Sequence, residues 1–364
     1  MRKIPIDKVE PGMINNITVP GFLGQALLNE GVQIKSRHIY YLKQMGIDYL
    51  YVKDSRMAEI TCKDLISSEV RSEGRALIAG LIRDLDTSVP NPKVINSREK
   101  DIISYVEKII VEIKNNENPV IQFSDLRAHA GYLFAHSVNC CVISTLLASR
   151  MNYDINTQRL IAMGAFLHDI GYISIPQMIL HKPGCLTEKE FELVKTHARY
   201  GYSLFKKTRL FSERVAEIIL QHHERILGQG YPGGLKGKEI NALARIVAVA
   251  DVFDAISSDK SYRGAYQAHE AVKMMQSWSG DYFDPEIINA FMGVVAAYPI
   301  GSYVTLNNGE SGLVVTNKTG CVTQPVVRVL YKKDFTPHPS PYDLDLAKND
   351  YMSVAAVTDD STVL

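Results

Sequence analysis

The run NTQRLIAMGAFLHDIG, residues 156–171, ends an apolar helical stretch on a histidine followed by an aspartate. A helix this apolar is buried, so His168 and Asp169 arrive at a core, where unpaired polar groups are costly. The same placement recurs along the chain. His136 opens HSVNCCVISTLLASRM, His197 lies in LTEKEFELVKTHARYGYSLF, and His222 and His223 close SERVAEIILQHHE. Asp251 and Asp254 lie in NALARIVAVADVFDAISS. Local signals frame these helices: a capping box at Thr187 and Glu190, caps at Ser212 and Asn241, and Gly171 as a helix stop.

One histidine on a helix is usually a satisfied core or surface residue. Five of them with two aspartates, Asp169 and Asp251, are harder to dismiss. Burying such a set without partners would cost several kcal/mol. A cation removes that cost by turning imidazoles and carboxylates into ligands. Seven donors exceed one tetrahedral site and suit two ions, with Asp169 the natural bridge. A set without thiolate favours iron, manganese, cobalt or zinc. Two ions at roughly 3.5–4 Å can hold a bridging hydroxide and stabilise an in-line phosphoryl displacement.

Composition narrows the partners. The 364 residues carry 40 basic and 40 acidic side chains, so no bulk field favours a nucleic acid polymer or an anionic membrane. No apolar run reaches the ~18 residues of a membrane span, and MRKIPIDKVEPGM has no signal-peptide h-region. Five cysteines without CxxC spacing read as free thiols in a reducing compartment, which makes the expected location cytoplasmic.

The chain reads as mainly α, a helical bundle flanked by small units. Residues 1–56 form an α+β unit, and 57–119 a helical linker with Ile78, Leu81, Ile82 and Leu85 on one stripe. A packed linker is the simpler reading of that segment, a homodimerisation element the alternative. Residues 120–298 are helical, 299–345 a small β appendix with a hairpin turn at 307–309, and 346–364 a loose tail. LGQGYPGGLKG, with five glycines and a proline, is a surface loop.

AHSVN, FLHDIG, KPG.LT..E, HHE....GQGYPGGLKG, RIVAVADVFDA and DPEI occur in the order and approximate spacing of the HD-GYP domain. Residues 120–298 therefore resemble this helical branch of the HD-domain metallohydrolases. The resemblance implies hydrolysis of cyclic dinucleotides, chiefly cyclic di-GMP to linear pGpG or GMP, at two or three ions, usually iron or manganese. It makes His136, His168 and Asp251 ligands of one metal and His197, His222 and His223 ligands of the other, with Asp169 between them. Tyr132 stands where three-metal members carry a glutamate, so two divalent ions are expected. Asp254 resembles a residue that touches the attacking water or nearby substrate, and Lys260 and Arg263 the pair that holds the substrate. Gly230, Tyr231 and Pro232 match the loop proposed to meet GGDEF-domain proteins.

The family motif runs HDIGK, and this chain has Tyr172 in place of the lysine that contacts the scissile phosphate. A phenol donates one hydrogen bond and carries no positive charge. That loss is worth roughly 3 kcal/mol, or about two orders of magnitude in rate. The expectation is a dimetal phosphodiesterase; the alternative is a catalytically weakened receptor for the same ligand. Lys260 also replaces an arginine, which weakens bidentate phosphate contact.

Overall fold

The computed structural model describes residues 2–20, 26–45, 49–57, 64–85, 92–122, 132–180, 184–208, 211–258 and 266–357, with positions 47, 60 and 182. The chain opens on strand β1 (Arg2–Pro5), short strands β2 (Val19–Pro20) and β3 (Ala26–Leu28), helix α1 (Ser36–Gln44) and strand β4 (Tyr49–Val52). β1 pairs antiparallel with β4, and β2 with β3. Ile4, Leu28, Ile34, Leu42 and Leu50 close a small core of their own.

Helices α2 (Ser68–Leu85) and α3 (Pro92–Lys114) follow, then α4 (Tyr132–Arg150) and α5 (Ile155–Leu167). The apolar stripes of α2 and α3 are not left open. Ile78, Leu81, Ile102, Tyr105 and Ile109 share one hydrophobic core with Val138, Ile143, Phe166 and Val247. The segment read from sequence as a linker is packed into the bundle. The remaining helices are α6 (Gln177–Leu180), α7 (Glu188–Thr208), α8 (Glu213–Gln221), α9 (Ala242–Ser257), α10 (Ala268–Ser277) and α11 (Pro285–Phe291). α4 and α9 are apolar nearly all round and lie innermost, with Val138, Ile143, Ile246, Val249 and Phe253 fully or almost fully buried.

The local signals are largely realised. Thr187 and Glu190 exchange reciprocal side-chain to backbone bonds of 2.7 and 3.3 Å. Asn241 Oδ1 accepts from Leu243 N at 2.9 Å. Ser212 takes the N-cap position of α8 without a side-chain bond. Gly171 does not stop α5: that helix ends at Leu167, and residues Ile170–Ser174 continue as a 3-10 turn. A Cβ on Gly171 would lie 1.9 Å from the carbonyl oxygen of His197, so glycine is there for close backbone approach to α7.

Beyond the helices, β5 (Tyr303–Leu306), β6 (Ser311–Thr316), β7 (Val326–Tyr331), β8 (Pro337–Asp345) and β9 (Val354–Val357) form an antiparallel sheet ordered β8-β7-β6-β5-β9. Residues 346–357 are therefore not the loose tail their polarity suggests. Leu346 is fully buried and β9 pairs with β5. Closing a small sheet edge outweighs the weak apolar content of the segment. No described helix is long and apolar enough to cross a membrane.

Candidate metal centre

Five helical elements bring the predicted side chains together. His136 comes from α4 and His168 with Asp169 from the turn after α5. His197 comes from α7, His222 and His223 from the end of α8, and Asp251 from α9. Their origin in separate helices is why no single motif shows the site.

Asp169 divides the cluster in two. Its Oδ2 lies 3.4 Å from His168 Nε2 and 3.6 Å from His136 Nε2. Its Oδ1 lies 3.5 Å from His197 Nε2 and 3.9 Å from His222 Nε2. Asp251 spans the same division, with Oδ1 at 3.3 Å from His136 Nε2 and Oδ2 at 3.5 Å from His223 Nδ1. Both carboxylates face both halves.

The backbone fixes the orientation of three rings. The Nδ1 atoms of His168, His197 and His222 lie 2.7, 2.8 and 2.7 Å from the carbonyl oxygens of Ala165, Val194 and Ile219. Each ring donates there, which leaves its Nε2 lone pair pointing inward. His136 Nδ1 is engaged by Asp254 at 2.6 Å. Inward nitrogens then meet: His136 and His168 Nε2 at 3.2 Å, His197 and His222 Nε2 at 3.3 Å. Facing lone pairs repel, and a buried ring nitrogen of His223, Nε2, has no hydrogen-bond partner. The spacing is that of two ligands across an ion with bonds of about 2.1 Å. The His/Asp cluster is compatible with a divalent metal.

Cys140 also approaches, its Sγ 3.6 Å from His136 Nδ1. Burial pushes its thiol up to about 12, which keeps it protonated in the metal-free chain, and with His136 and His168 it forms a group that could hold a metal ion.

The imidazoles differ in charge. Burial and the neighbouring rings of His168 and His197 push His222 down to about 3. Burial likewise lowers His197 and, with His222, His223. Burial opposes the charged form of His168 too, but the Asp169 carboxylate outweighs it and raises that group. Asp169 and Asp251 lie below the usual carboxylate range, because the facing imidazoles outweigh burial.

A pH dependence follows for the metal-free chain. A histidine depressed below its ordinary 6.5 takes up a proton on acidification only when unfolded, so its stability contribution falls as pH drops below 6.5. His168, raised, contributes oppositely: its share is present below 6.5 and fades as pH rises through the folded value. Three depressed rings against one raised ring make acid destabilising. His222 alone accounts for about 2 kcal/mol at pH 5. Thermal melts of chelator-treated protein should show Tm falling from pH 7 to pH 5; a flat or rising Tm contradicts this assignment.

The other predicted residues divide. Tyr172 stacks on His197 with ring centroids 4.4 Å apart and 29° between planes. Tyr231 stacks on His223 at 4.5 Å and 26°. The glycine loop therefore reaches the centre and forms one wall of it. Gly230 makes that possible, since a Cβ there would lie 2.4 Å from the carbonyl oxygen of His223. The peptide Tyr231-Pro232 is cis, and Pro232 O accepts from Arg199 at 2.8 Å. Asp254 Oδ2 lies 2.6 Å from His136 Nδ1. It is fully buried behind His136, with Oδ1 accepting from Asn139 Nδ2 at 2.8 Å. Lys260 and Arg263 lie outside the described residues.

Sequence reasoning missed Glu224 and Asn139. Glu224 receives the backbone N–H of Gly233 at 2.6 Å and of Leu235 at 3.0 Å, which holds the glycine loop. Asn139 was detectable as an amide one turn after His136 in an otherwise apolar helix.

A family model described as "HD domain" matches residues 124–287, and one described as "KOW domain associated with HD domain" matches 303–363. The response regulator RpfG of Xanthomonas campestris, named a cyclic di-GMP phosphodiesterase, is 32% identical over 298 residues, covering 80% of this chain and 69% of RpfG. The chain belongs to the HD-GYP family. PA4108 of Pseudomonas aeruginosa, also named a cyclic di-GMP phosphodiesterase, is 37% identical to this HD-GYP chain over 226 residues, 62% of this chain and 54% of PA4108. The 3'3'-cGAMP-specific phosphodiesterase 3 of Vibrio cholerae is 33% identical over 172 residues, 47% of this chain and 37% of that protein. The matched stretch thus spans about half the length of PA4108.

Proposed function

We propose that this HD-GYP chain is a metal-dependent phosphodiesterase that opens a cyclic dinucleotide, with cyclic di-GMP the first candidate. The observation that carries the reading is the meeting of inward Nε2 atoms at 3.2 and 3.3 Å on either side of Asp169. His136, His168 and Asp251 would hold one ion, His197, His222 and His223 the other, and Asp169 one oxygen towards each. Bound there, two divalent ions, iron or manganese for this donor set, would activate an attacking water and offset phosphate charge.

The chain's own groups supply the rest. The carbonyls of Ala165, Val194 and Ile219 keep three rings oriented before any ligand arrives. Tyr172 and Tyr231 stack on His197 and His223 and would add neutral hydroxyl donors to the wall of the site. Water adds to one phosphorus, the P–O3' bond breaks, and the proton passes to the departing O3'. One such step gives the linear dinucleotide and a second gives mononucleotides. Lys260 and Arg263 are the proposed substrate cations. The exposed glycines 233 and 234 are the part of the loop a GGDEF-domain partner would meet.

A second reading is favoured by the neutral ring of Tyr172: a receptor that binds the dinucleotide and turns it over slowly. The test is incubation of iron- and manganese-loaded chain with cyclic di-GMP, 3'3'-cGAMP and nucleoside triphosphates. Release of linear dinucleotide from a cyclic substrate supports the phosphodiesterase. Metal and dinucleotide binding without product supports the receptor.

A further inference from the structure

A line of hydrogen bonds leaves the cluster on its buried side. His136 Nδ1 meets Asp254 Oδ2 at 2.6 Å, and Asp254 Oδ1 accepts from Asn139 Nδ2 at 2.8 Å. Asn139 Oδ1 in turn accepts from Arg71 Nη1 at 3.1 Å. All four side chains are buried, Arg71 the most exposed at 9%. Three of them belong to α4 and α9. Arg71 belongs to α2, outside the helices that carry the cluster.

Each bond constrains the next. A carboxylate on Nδ1 keeps the proton there and leaves the Nε2 lone pair facing Asp169 and Asp251. An amide beside a carboxylate must turn its NH2 towards it, because its oxygen would be repelled. Arg71, which only donates, holds the amide oxygen on the far side and so locks that orientation. The guanidinium also sets a positive charge behind the buried carboxylate, which offsets the cost of burying it.

We propose that Arg71, Asn139 and Asp254 are positioning residues for His136, so that helix α2 sets the metal affinity of one half of the centre. The inference rests on His136 being a ligand. It gives the segment after the N-terminal unit a physical route to the site. A shift of α2 that breaks the bond to Asn139 frees the amide, then the carboxylate, then the ring.

The experiment is a calorimetric Mn2+ titration of the full chain as wild type, R71M, D254A and D254N, with helical content checked by circular dichroism. R71M should bind one Mn2+ as the wild type does and the other about 10-fold more weakly, and D254A should weaken that same ion about 100-fold. D254N should be milder than D254A, because its amide oxygen still accepts from Nδ1. Hydrolysis by R71M should return at saturating Mn2+ with KM unchanged. Wild-type affinity at both positions in R71M overturns the inference, and so does equal weakening of both ions that excess Mn2+ does not restore. A wild-type chain that takes up no Mn2+ overturns both this inference and the phosphodiesterase reading.

Discussion

Replacing Tyr172 by lysine raises the rate of cyclic dinucleotide hydrolysis by about 100-fold while the metal content stays the same. Tyr172 lies four residues after His168, where its ring covers His197 at 4.4 Å. Burial pushes its phenol up, and the carboxylates of Asp169 and Asp251 push the same way. The group is thus a neutral donor throughout the physiological range. A phosphoryl transition state gathers charge on its oxygens, and an ammonium meets that charge better than a phenol. His197 does not depend on the tyrosine for its orientation, since Val194 O holds its Nδ1 at 2.8 Å. The metals should therefore survive the exchange. The check is kcat of Y172K beside the wild type, with metal analysis of both. An unchanged or lower kcat at equal metal content would show that the tyrosine is not what limits turnover.

Asp169→Asn has the opposite and larger effect. The two carboxylate oxygens each face a different pair of imidazoles, at 3.4 and 3.6 Å on one side and 3.5 and 3.9 Å on the other. An amide offers one neutral oxygen and an NH2 that repels a cation. One ion loses its anionic ligand and the pair loses its common one. We expect bound metal to fall from two ions to one or none, and hydrolysis to fall by roughly three orders of magnitude. Metal analysis and a hydrolysis assay on the same preparation test this; retention of two ions by D169N would contradict it.

The bundle and its cluster were readable because apolar helical runs ending in His168, His222 and His223 leave those side chains one environment, the core. The family resemblance then ordered them. The family resemblance singled out Asp254, one turn after Asp251, but gave no sign of which side of His136 it meets. Only the packing of α9 against α4 reveals that it faces the back of His136. Arg71 and Asn139 are 68 residues apart in the chain, and no local pattern joins them. The 346–357 segment was misread for a different reason: its polarity matches a tail, and strand pairing with β5 uses backbone groups that composition does not register. The resemblance marked Tyr231 only as part of a partner loop, and its place beside the cluster was not legible. Its stacking on His223 depends on Gly230 fitting against the backbone of His223, a contact set by folding of the loop.

The most direct measurement is an anomalous scattering map from crystals of the manganese-loaded chain. The account predicts two peaks roughly 3.5–4 Å apart, with one oxygen of Asp169 towards each and His197 turned inward. A single peak, no peak, or Asp169 beyond coordination distance of both would contradict it.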